Sequence, residues 1–462
     1  MHKRHLWLLA ALAALSGPAL AEEEPSVPPS SDGPPLKGTQ NAIPASDVYD
    51  LLTKSETTFS ALYYGRDRQE KQPNDSNGGD IRVNALNLGL NFKSGYAWNT
   101  LGFDAAAHAS LRLNKGMGFS EVLYHDYNDM SDPAEGGGGK DKSDAVLSQA
   151  ALKFRQHPDG QGFSARAGYT PIAIGALGTS GGLQSHAYRG FEGKYKLGDF
   201  ELGYGWADQF RNEWDYRFRD MTNSWEQGRS KGSQAKKIAY VNSIGLRYAP
   251  DGAFVDIGFG EGKDYRRTAQ IAGSYSWKLA GGDTLTGVAY YFQGKDLAPL
   301  GLPNSQLAWH ASASLSYASG GLTLMAALGK SRNPDGGEVN FRLTPYGNSD
   351  NRNFIQTWGQ DDDFVWDGSR VAKLGASYDF AKQGLPGLSV GISGNYATGL
   401  KNPGAPDSKA RELDLSASYA VQNGLLKGAS IGVYPAWYRS GDFYGKKDRN
   451  DVKVIASYSK TF

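Results

Sequence analysis

Asp451-Val-Lys-Val-Ile-Ala-Ser-Tyr-Ser-Lys-Thr-Phe462 is the stretch on which the fold turns. Val452, Val454, Ala456, Tyr458 and Phe462 fall on one face of an extended chain, and Lys453, Ser457, Ser459 and Thr461 on the other. A repeat of two is the side-chain period of a β-strand. A terminal strand with one apolar face that stops on an aromatic is how an outer-membrane barrel closes. Lys460 on the apolar face and Ile455 on the polar one run against the pattern.

The same period recurs upstream from Thr57. Leu86, Leu88, Leu90 and Phe92 oppose Ala85, Asn87, Gly89 and Asn91. Phe163, Ala165, Ala167 and Tyr169 oppose Ser164, Arg166, Gly168 and Thr170, and Leu413, Leu415, Ala417 and Tyr419 oppose Asp414, Ser416 and Ser418. Many apolar sets end in an aromatic, as an interfacial girdle requires. Connections of two kinds alternate between these segments. Short ones carry turn chemistry, such as His157-Pro-Asp-Gly160, Pro250-Asp-Gly252, Ser319-Gly-Gly321 and Gln422-Asn-Gly424. Long polar ones fall near 67–80, 114–144, 171–187, 210–237, 294–304, 332–362, 398–409 and 439–449, with a short one near 260–265. The expected fold is all-β: a transmembrane antiparallel β-barrel of about 18 strands, with short periplasmic turns and long extracellular loops. At that size the lumen is an aqueous channel rather than a packed core. Leu285–Phe292 alternates poorly, and Pro435 removes a backbone donor inside a predicted strand.

The N-terminus gives the compartment. Lys3 and Arg4, an apolar run from Leu6 to about Leu15 and Ala19-Leu20-Ala21 form the three regions of a signal peptide over residues 1–21. Residues 22–55 follow as a Pro-rich leader, expected to be disordered, and the barrel occupies 56–462. Gly 60 and Tyr 26 are high counts, Cys is absent, and the mean hydropathy is -0.51. A barrel that alternates lipid-facing and water-facing residues reconciles that hydropathy with a membrane. Loss of Lys3 and Arg4 turns the formal charge of +1 into -1, which gives no argument for nucleic acid.

Motifs for chemistry are weak. Gly387-Leu-Ser389-Val-Gly391 and Gly428-Ala-Ser430-Ile-Gly432 match G-x-S-x-G, yet each serine falls where a strand begins, whereas a nucleophile elbow needs a strand-to-helix turn. No histidine has a metal-like partner at i+2 or i+4, and no cofactor is called for. Asp361-Asp-Asp363 and the run Asp126–Asp132 are solvated loop acids or calcium ligands. An enzyme is not expected.

Polar residues whose parity places them inside the barrel are the informative ones. Asp104, His108, Arg112, Lys153, Arg166, Lys194, Glu201, Arg247, Arg266, Lys373, Asp414 and Lys453 all oppose apolar faces. They read as a wetted wall or, toward mid-strand, as groups that steer a solute. Basic residues exceed acidic ones in this set, so anionic groups would be favoured. Residues 171–187, with Gly175, Gly178, Gly181 and Gly182, form the candidate constriction loop. Arg166, Arg112, Asp104, Lys373, Lys453, Tyr188 and Glu192 are the candidate substrate-binding residues. Loop aromatics such as Trp214, Phe218, Trp225, Tyr346, Trp358 and Trp366 stack on sugar rings or pack on one another.

Ala165-Arg-Ala-Gly-Tyr169, Tyr188-Arg-Gly-Phe-Glu-Gly193 and Gly203-Tyr-Gly-Trp206 resemble the OprD family of substrate-selective outer-membrane porins. Leu343-Thr-Pro-Tyr346, Ala376-Ser-Tyr-Asp379, Leu385-Pro-Gly-Leu-Ser-Val-Gly391 and the closing strand resemble its chitoporin branch. The resemblance covers roughly residues 56 to 462. It implies an 18-stranded barrel, monomeric or loosely trimeric, an inward-folded third outer loop, and a basic ladder facing acidic residues. Only 171–187 and Arg166 match closely enough to carry these roles over; Ser185-His-Ala-Tyr188 stands where the family has a proline. The expected function is passive uptake of chitooligosaccharide-like sugars, with carboxylates or basic amino acids as the alternative. A barrel-borne hydrolase or a non-conducting adhesive barrel are further alternatives. Expected partners are outer-membrane lipid and lipopolysaccharide, a small solute, and the barrel-assembly machinery through the strand ending at Phe462.

Overall fold

A computed structural model describes residues 47–70, 80–114, 122–125, 141–178, 186–215, 217–223, 235–344, 354–441 and 446–462. The signal peptide, the leader up to residue 46 and the acidic run at 126–132 lie outside the described residues, as do Trp225 and Tyr346.

Eighteen long strands form one closed antiparallel barrel. In chain order they are β1 (Glu56–Glu70), β2 (Ile81–Lys93), β3 (Leu101–Arg112), β4 (Asp144–Arg155), β5 (Gly162–Thr170) and β6 (Ala187–Leu197). There follow β7 (Phe200–Arg211), β8 (Val241–Tyr248), β9 (Ala253–Gly262), β10 (Arg266–Lys278), β11 (Thr284–Asp296) and β12 (Ala308–Ser319). The remainder are β13 (Leu322–Arg332), β14 (Arg370–Asp379), β15 (Leu388–Asn402), β16 (Ala405–Ala420), β17 (Ala429–Ser440) and β18 (Arg449–Thr461). Each strand pairs with its sequence neighbours, and β18 returns to β1, Lys453 opposite Arg66. Phe462 and Thr57 exchange both backbone hydrogen bonds at the seam.

Alternation sorts the side chains. Leu152, Leu315, Leu328 and Leu374 stand exposed on the outer face, where lipid covers them. Phe200 stacks on Tyr248 at 4.4 Å and Tyr275 meets Trp277 at 4.9 Å, both outside and beside the inner turns. They form part of a periplasmic girdle. Ile455 faces inward as its parity requires, and it packs with Tyr64, Val83 and Tyr434 against Val122 and Leu123 of an outer loop. The exception in the sequence pattern therefore marks where a loop enters the lumen.

The strands bear on three details of the sequence reading. Residues 398–409, expected as a long polar loop, continue β15 and β16 into a hairpin turned at Pro403 and Gly404, with Gly404 at φ +77. Thr284–Asp296 is a full strand despite its irregular pattern, because Tyr290 and Phe292 face inward on a packed loop. The end of the leader is ordered: Asp50–Thr53 is one helical turn, and Gly95 donates to the Leu51 carbonyl at 3.1 Å. A side chain at Gly95 would collide with the Asp50 carbonyl, so this glycine is what lets the turn dock.

Pro435 sits inside β17 and still pairs with Val452 of β18. On its other edge the ladder to β16 skips Tyr434 and Pro435. In that gap the Tyr434 carbonyl accepts from Gln360 Nε2 of an inward loop at 2.9 Å.

Candidate functional site

Because inward residues on neighbouring strands face each other across the ladder, charges at matching register pair along the wall. Arg166 of β5 lies directly opposite Glu192 of β6, and its Nε donates to Glu192 Oε1 at 2.8 Å. Arg247 of β8 lies opposite Glu201 of β7 and Asp256 of β9, and reaches Asp256 at 3.7 Å. Lys194 joins Glu201 on the diagonal at 3.2 Å. Asp104 of β3 pairs with Lys153 of β4 at 2.7 Å, and Lys153 also donates to the Ser94 carbonyl at 2.8 Å. Tyr96, in the adjoining turn, lies under Lys153 and Arg155, whose groups stand 4.7 and 3.8 Å from its ring. Burial raises the Tyr96 hydroxyl above its ordinary pKa, so the ring meets both cations as a neutral phenol.

Pro171–Gly178 lies flat on this wall. Arg166 reaches the Pro171 carbonyl at 3.5 Å, the Ala173 amide donates to Glu192 Oε2 at 3.4 Å, and the Tyr188 hydroxyl donates to the Gly178 carbonyl at 2.7 Å. Ile172, Ile174 and Leu177 are buried with Tyr188, Phe210 and Val241. The wall accepts the loop because its inward positions are glycines. A Cβ on Gly258 would lie 2.6 Å from the Gly175 backbone, one on Gly205 2.8 Å from Ile172, and one on Gly260 2.9 Å from Ala176. Gly175 itself has φ +53, a conformation that costs a side chain strain.

Residues 354–369, ahead of β14, form a second segment held to inward side chains. Lys373 donates to the Trp358 carbonyl at 2.8 Å, Asn395 Nδ2 to the Thr357 carbonyl at 2.8 Å, and Glu412 accepts from the Asp361 and Asp362 amides at 2.6 and 3.0 Å. Below it runs a buried ionic cluster. Arg66 binds Asp451 through Nε at 3.0 Å and stands 3.8 Å from Asp361, while Lys453 is 4.0 Å from Asp451. Arg449 approaches Asp361 at 4.0 Å, and Lys446 pairs with Asp362. Asp361 and Asp362, read as possible calcium ligands, thus face basic side chains; among the described residues no group of acids and histidines is arranged to hold a metal.

The sequence-predicted residues therefore divide. Arg166, Glu192 and Tyr188 come together around Pro171–Gly178. Asp104 stands apart near the inner rim, and Arg112 ends β3 at the outer rim, where its amide donates to Ser143 Oγ at 2.9 Å. Lys373 and Lys453 belong to the second group and are almost fully buried. Arg66, Asp256, Glu412 and Asp451 were missed, although the parity of their strands marks each as inward. With these four included, the inward set narrows from eight basic and three acidic residues to nine and six, and among the described residues the buried Lys, Arg, Asp and Glu side chains are nearly balanced, nine basic to eight acidic. Ser389 and Ser430 of the G-x-S-x-G matches lie in strands and meet Ser418 and Ser457 at 3.0 and 2.8 Å, with no elbow.

The model of the outer membrane porin, OprD family, matches residues 184–462. Chitoporin of Escherichia coli strain K12 is 26% identical over 461 residues, covering 90% of this chain and 94% of that protein. Porin D of Pseudomonas aeruginosa is 30% identical over 118 residues, covering 23% of this chain and 27% of that protein. The structure of Pseudomonas aeruginosa OpdK with vanillate superposes with a TM-score of 0.73 at 20% identity, covering 89% of this chain and 100% of that one. OccK9 (OpdG) of the same organism superposes with a TM-score of 0.72 at 19% identity, with the same coverage.

Proposed function

Because the chain belongs to the OprD family of outer membrane porins, we propose that the solute it admits by diffusion is a neutral, chitooligosaccharide-like sugar. Solute uptake across the outer membrane of a Gram-negative bacterium is the shared activity of its relatives, and those relatives are channels. The observation that carries the choice of solute is charge pairing in the lumen. Arg166, Lys153, Lys194, Arg247, Arg66 and Lys446 each have a carboxylate partner within 4 Å. Paired charges offer hydrogen bonds to hydroxyls and amides without the net field that an ionic solute would need. Likeness to chitoporin over nine-tenths of the chain supports the same reading. Sugar would enter past Pro171–Gly178, exchange water for the polar wall, and leave down its gradient, since weak binding is a condition of throughput.

The test is single-channel current from refolded protein in a planar bilayer, titrated with chitohexaose and then arginine. Concentration-dependent blocks by the sugar are expected. Blocks by arginine alone would replace the sugar with a basic amino acid, and absence of current from folded protein would end the porin reading. Arg166→Ala should leave the Glu192 carboxylate without its partner in a site still one-third open to solvent, Arg166 being 34% exposed there. Reversal potentials in a salt gradient should move toward cation selectivity, by roughly twofold to fivefold in permeability ratio, as about 0.4–1 kcal/mol would give. An unchanged reversal potential would remove Arg166 from the conduction path.

A further inference from the structure

The outward face of the barrel carries cations that conduction does not use. On β13, β14 and β16, toward the outer rim, Lys330, Arg332, Arg370 and Arg411 stand exposed on the parity that turns to lipid. Among the described residues none of the four forms an ion pair. Elsewhere on this rim outward cations are matched, Arg267 by Glu261 at 2.7 Å and Arg82 by Asp67 at 3.8 Å.

Register makes the excess costly. Lys330 lies directly opposite Arg370, and Arg411 directly opposite Arg439 of β17. Like charges that face each other across a ladder repel, the more so beside lipid, where the dielectric is low. Arg439 is fixed by its own bonds: it donates to the Arg449 carbonyl and to Asn450 Oδ1 at 3.0 Å each. Asp448, 3.8 Å from Arg439, offsets one charge of that pair and leaves Arg411 the other.

Beside the two arginines the wall is concave. A groove of about 490 Å³ is lined by Leu374, Tyr396, Leu413 and Trp437 together with Arg411 and Arg439. Tyr396 lies opposite Arg411, and Trp437 opposite Leu413. Rings that mark a membrane interface therefore run level with the guanidinium groups and just beneath them. Ile392 and Ile431, both exposed, continue the apolar surface toward the inner side. Cations above, rings at the interface and an apolar trough below match a ligand with an anionic head and acyl chains. The planar guanidinium fork suits a phosphate, which it can bind through two hydrogen bonds.

We propose that this groove binds a phosphorylated glycolipid of the outer leaflet. Arg411, with Arg439 beside it, holds a phosphate, an acyl chain lies over Leu374 and Leu413, and the head extends toward Arg370 and Lys330. The site is on the far side of the wall from the solute path, so it stands or falls apart from the sugar reading.

Native mass spectrometry of the refolded full chain, titrated with diphosphoryl lipid A, is the test. The Arg370→Gln/Arg411→Gln variant should bind roughly tenfold more weakly, as the loss of two charge-assisted contacts at a surface would give. Both residues face away from the lumen, so its single-channel conductance should equal the native value, which checks that the barrel has folded. Arg82→Gln/Arg267→Gln removes the same charge elsewhere on the rim and should bind as the native chain does. Equal weakening in the two double variants would leave only diffuse attraction and overturn the site, as would native affinity in Arg370→Gln/Arg411→Gln. On the native chain, lipid A stripped of both phosphates should bind markedly more weakly; equal affinity would overturn phosphate recognition without recourse to any variant. Displacement of the lipid by inorganic phosphate would assign the arginines to a soluble anion and overturn the glycolipid.

Discussion

Replacing Gly258 with valine is expected to lower single-channel conductance by roughly half and to make the open state noisy, since overpacking of this kind costs about 1–3 kcal/mol. The position offers no room. A Cβ there lies 2.6 Å from two backbone atoms of Gly175 and 2.7 Å from the Ala176 amide. Gly175 in turn is pressed against the backbone of β8, where a Cβ would meet the Ile244 carbonyl. Backbone trapped on both sides cannot turn aside, so Pro171–Gly178 must lift from the wall toward the channel axis, carrying Ile174 and Leu177 out of their buried contacts. Gly203→Val supplies the comparison. Its Cβ would meet the Ile174 Cδ1 at 2.5 Å, the tip of a side chain that can rotate away. A markedly smaller change is expected there. Equal conductance for Gly258→Val and native protein would show that this loop does not narrow the path.

Glu412→Ala should free the other inward loop. Its two carboxylate oxygens each accept one backbone amide, from Asp361 and Asp362, in a region with no exposed side. Alanine leaves both donors without that acceptor, at about 1–3 kcal/mol for each buried group. Lys373 and Asn395 still hold the Trp358 and Thr357 carbonyls, so the segment should loosen from its far end rather than leave altogether. Chymotrypsin cleavage after Phe354 and Trp358 should then accelerate by roughly tenfold or more, as expected when local opening becomes easier by at least about 1.4 kcal/mol. Glu412→Gln keeps one acceptor oxygen and should fall between. Cleavage at the native rate in the alanine variant would mean that Glu412 does not anchor the loop.

Period-two alternation made the barrel legible because a strand in lipid has no other way to satisfy its backbone and its two solvents together. All eight inner turns fall at positions marked by Gly, Pro, Asn or Asp, and the inward parity of Asp104, Arg166, Lys373 and Lys453 holds. The loops were harder to read. Residues 171–187 were expected to fold inward from their own glycines; 179–185 lie outside the described residues, and the feature that seats Pro171–Gly178 is the glycine spacing of the wall at Gly203, Gly205, Gly258 and Gly260, on other strands. Nothing local to residues 354–362 announces that they fold inward, since their anchors Lys373, Asn395 and Glu412 lie on three later strands. Charge balance was misjudged for the same reason: Asp451 and Glu412 were as readable as Lys453 and Lys373, but pairing belongs to register, and register is a property of the closed sheet.

The seam between β1 and β18 bears on how the protein comes to exist. Thr58 and Thr461, whose hydroxyls lie 2.8 Å apart, are separated by 403 positions. Bringing such distant segments together costs about 5 kcal/mol in chain entropy alone, and none of it is recovered until the last strand arrives. Until then both terminal strands present unpaired edges, the condition that promotes association with any extended neighbour. Stability and yield should therefore come apart for substitutions on this seam. A change that barely alters the finished barrel can still sharply lower the fraction of chains that close.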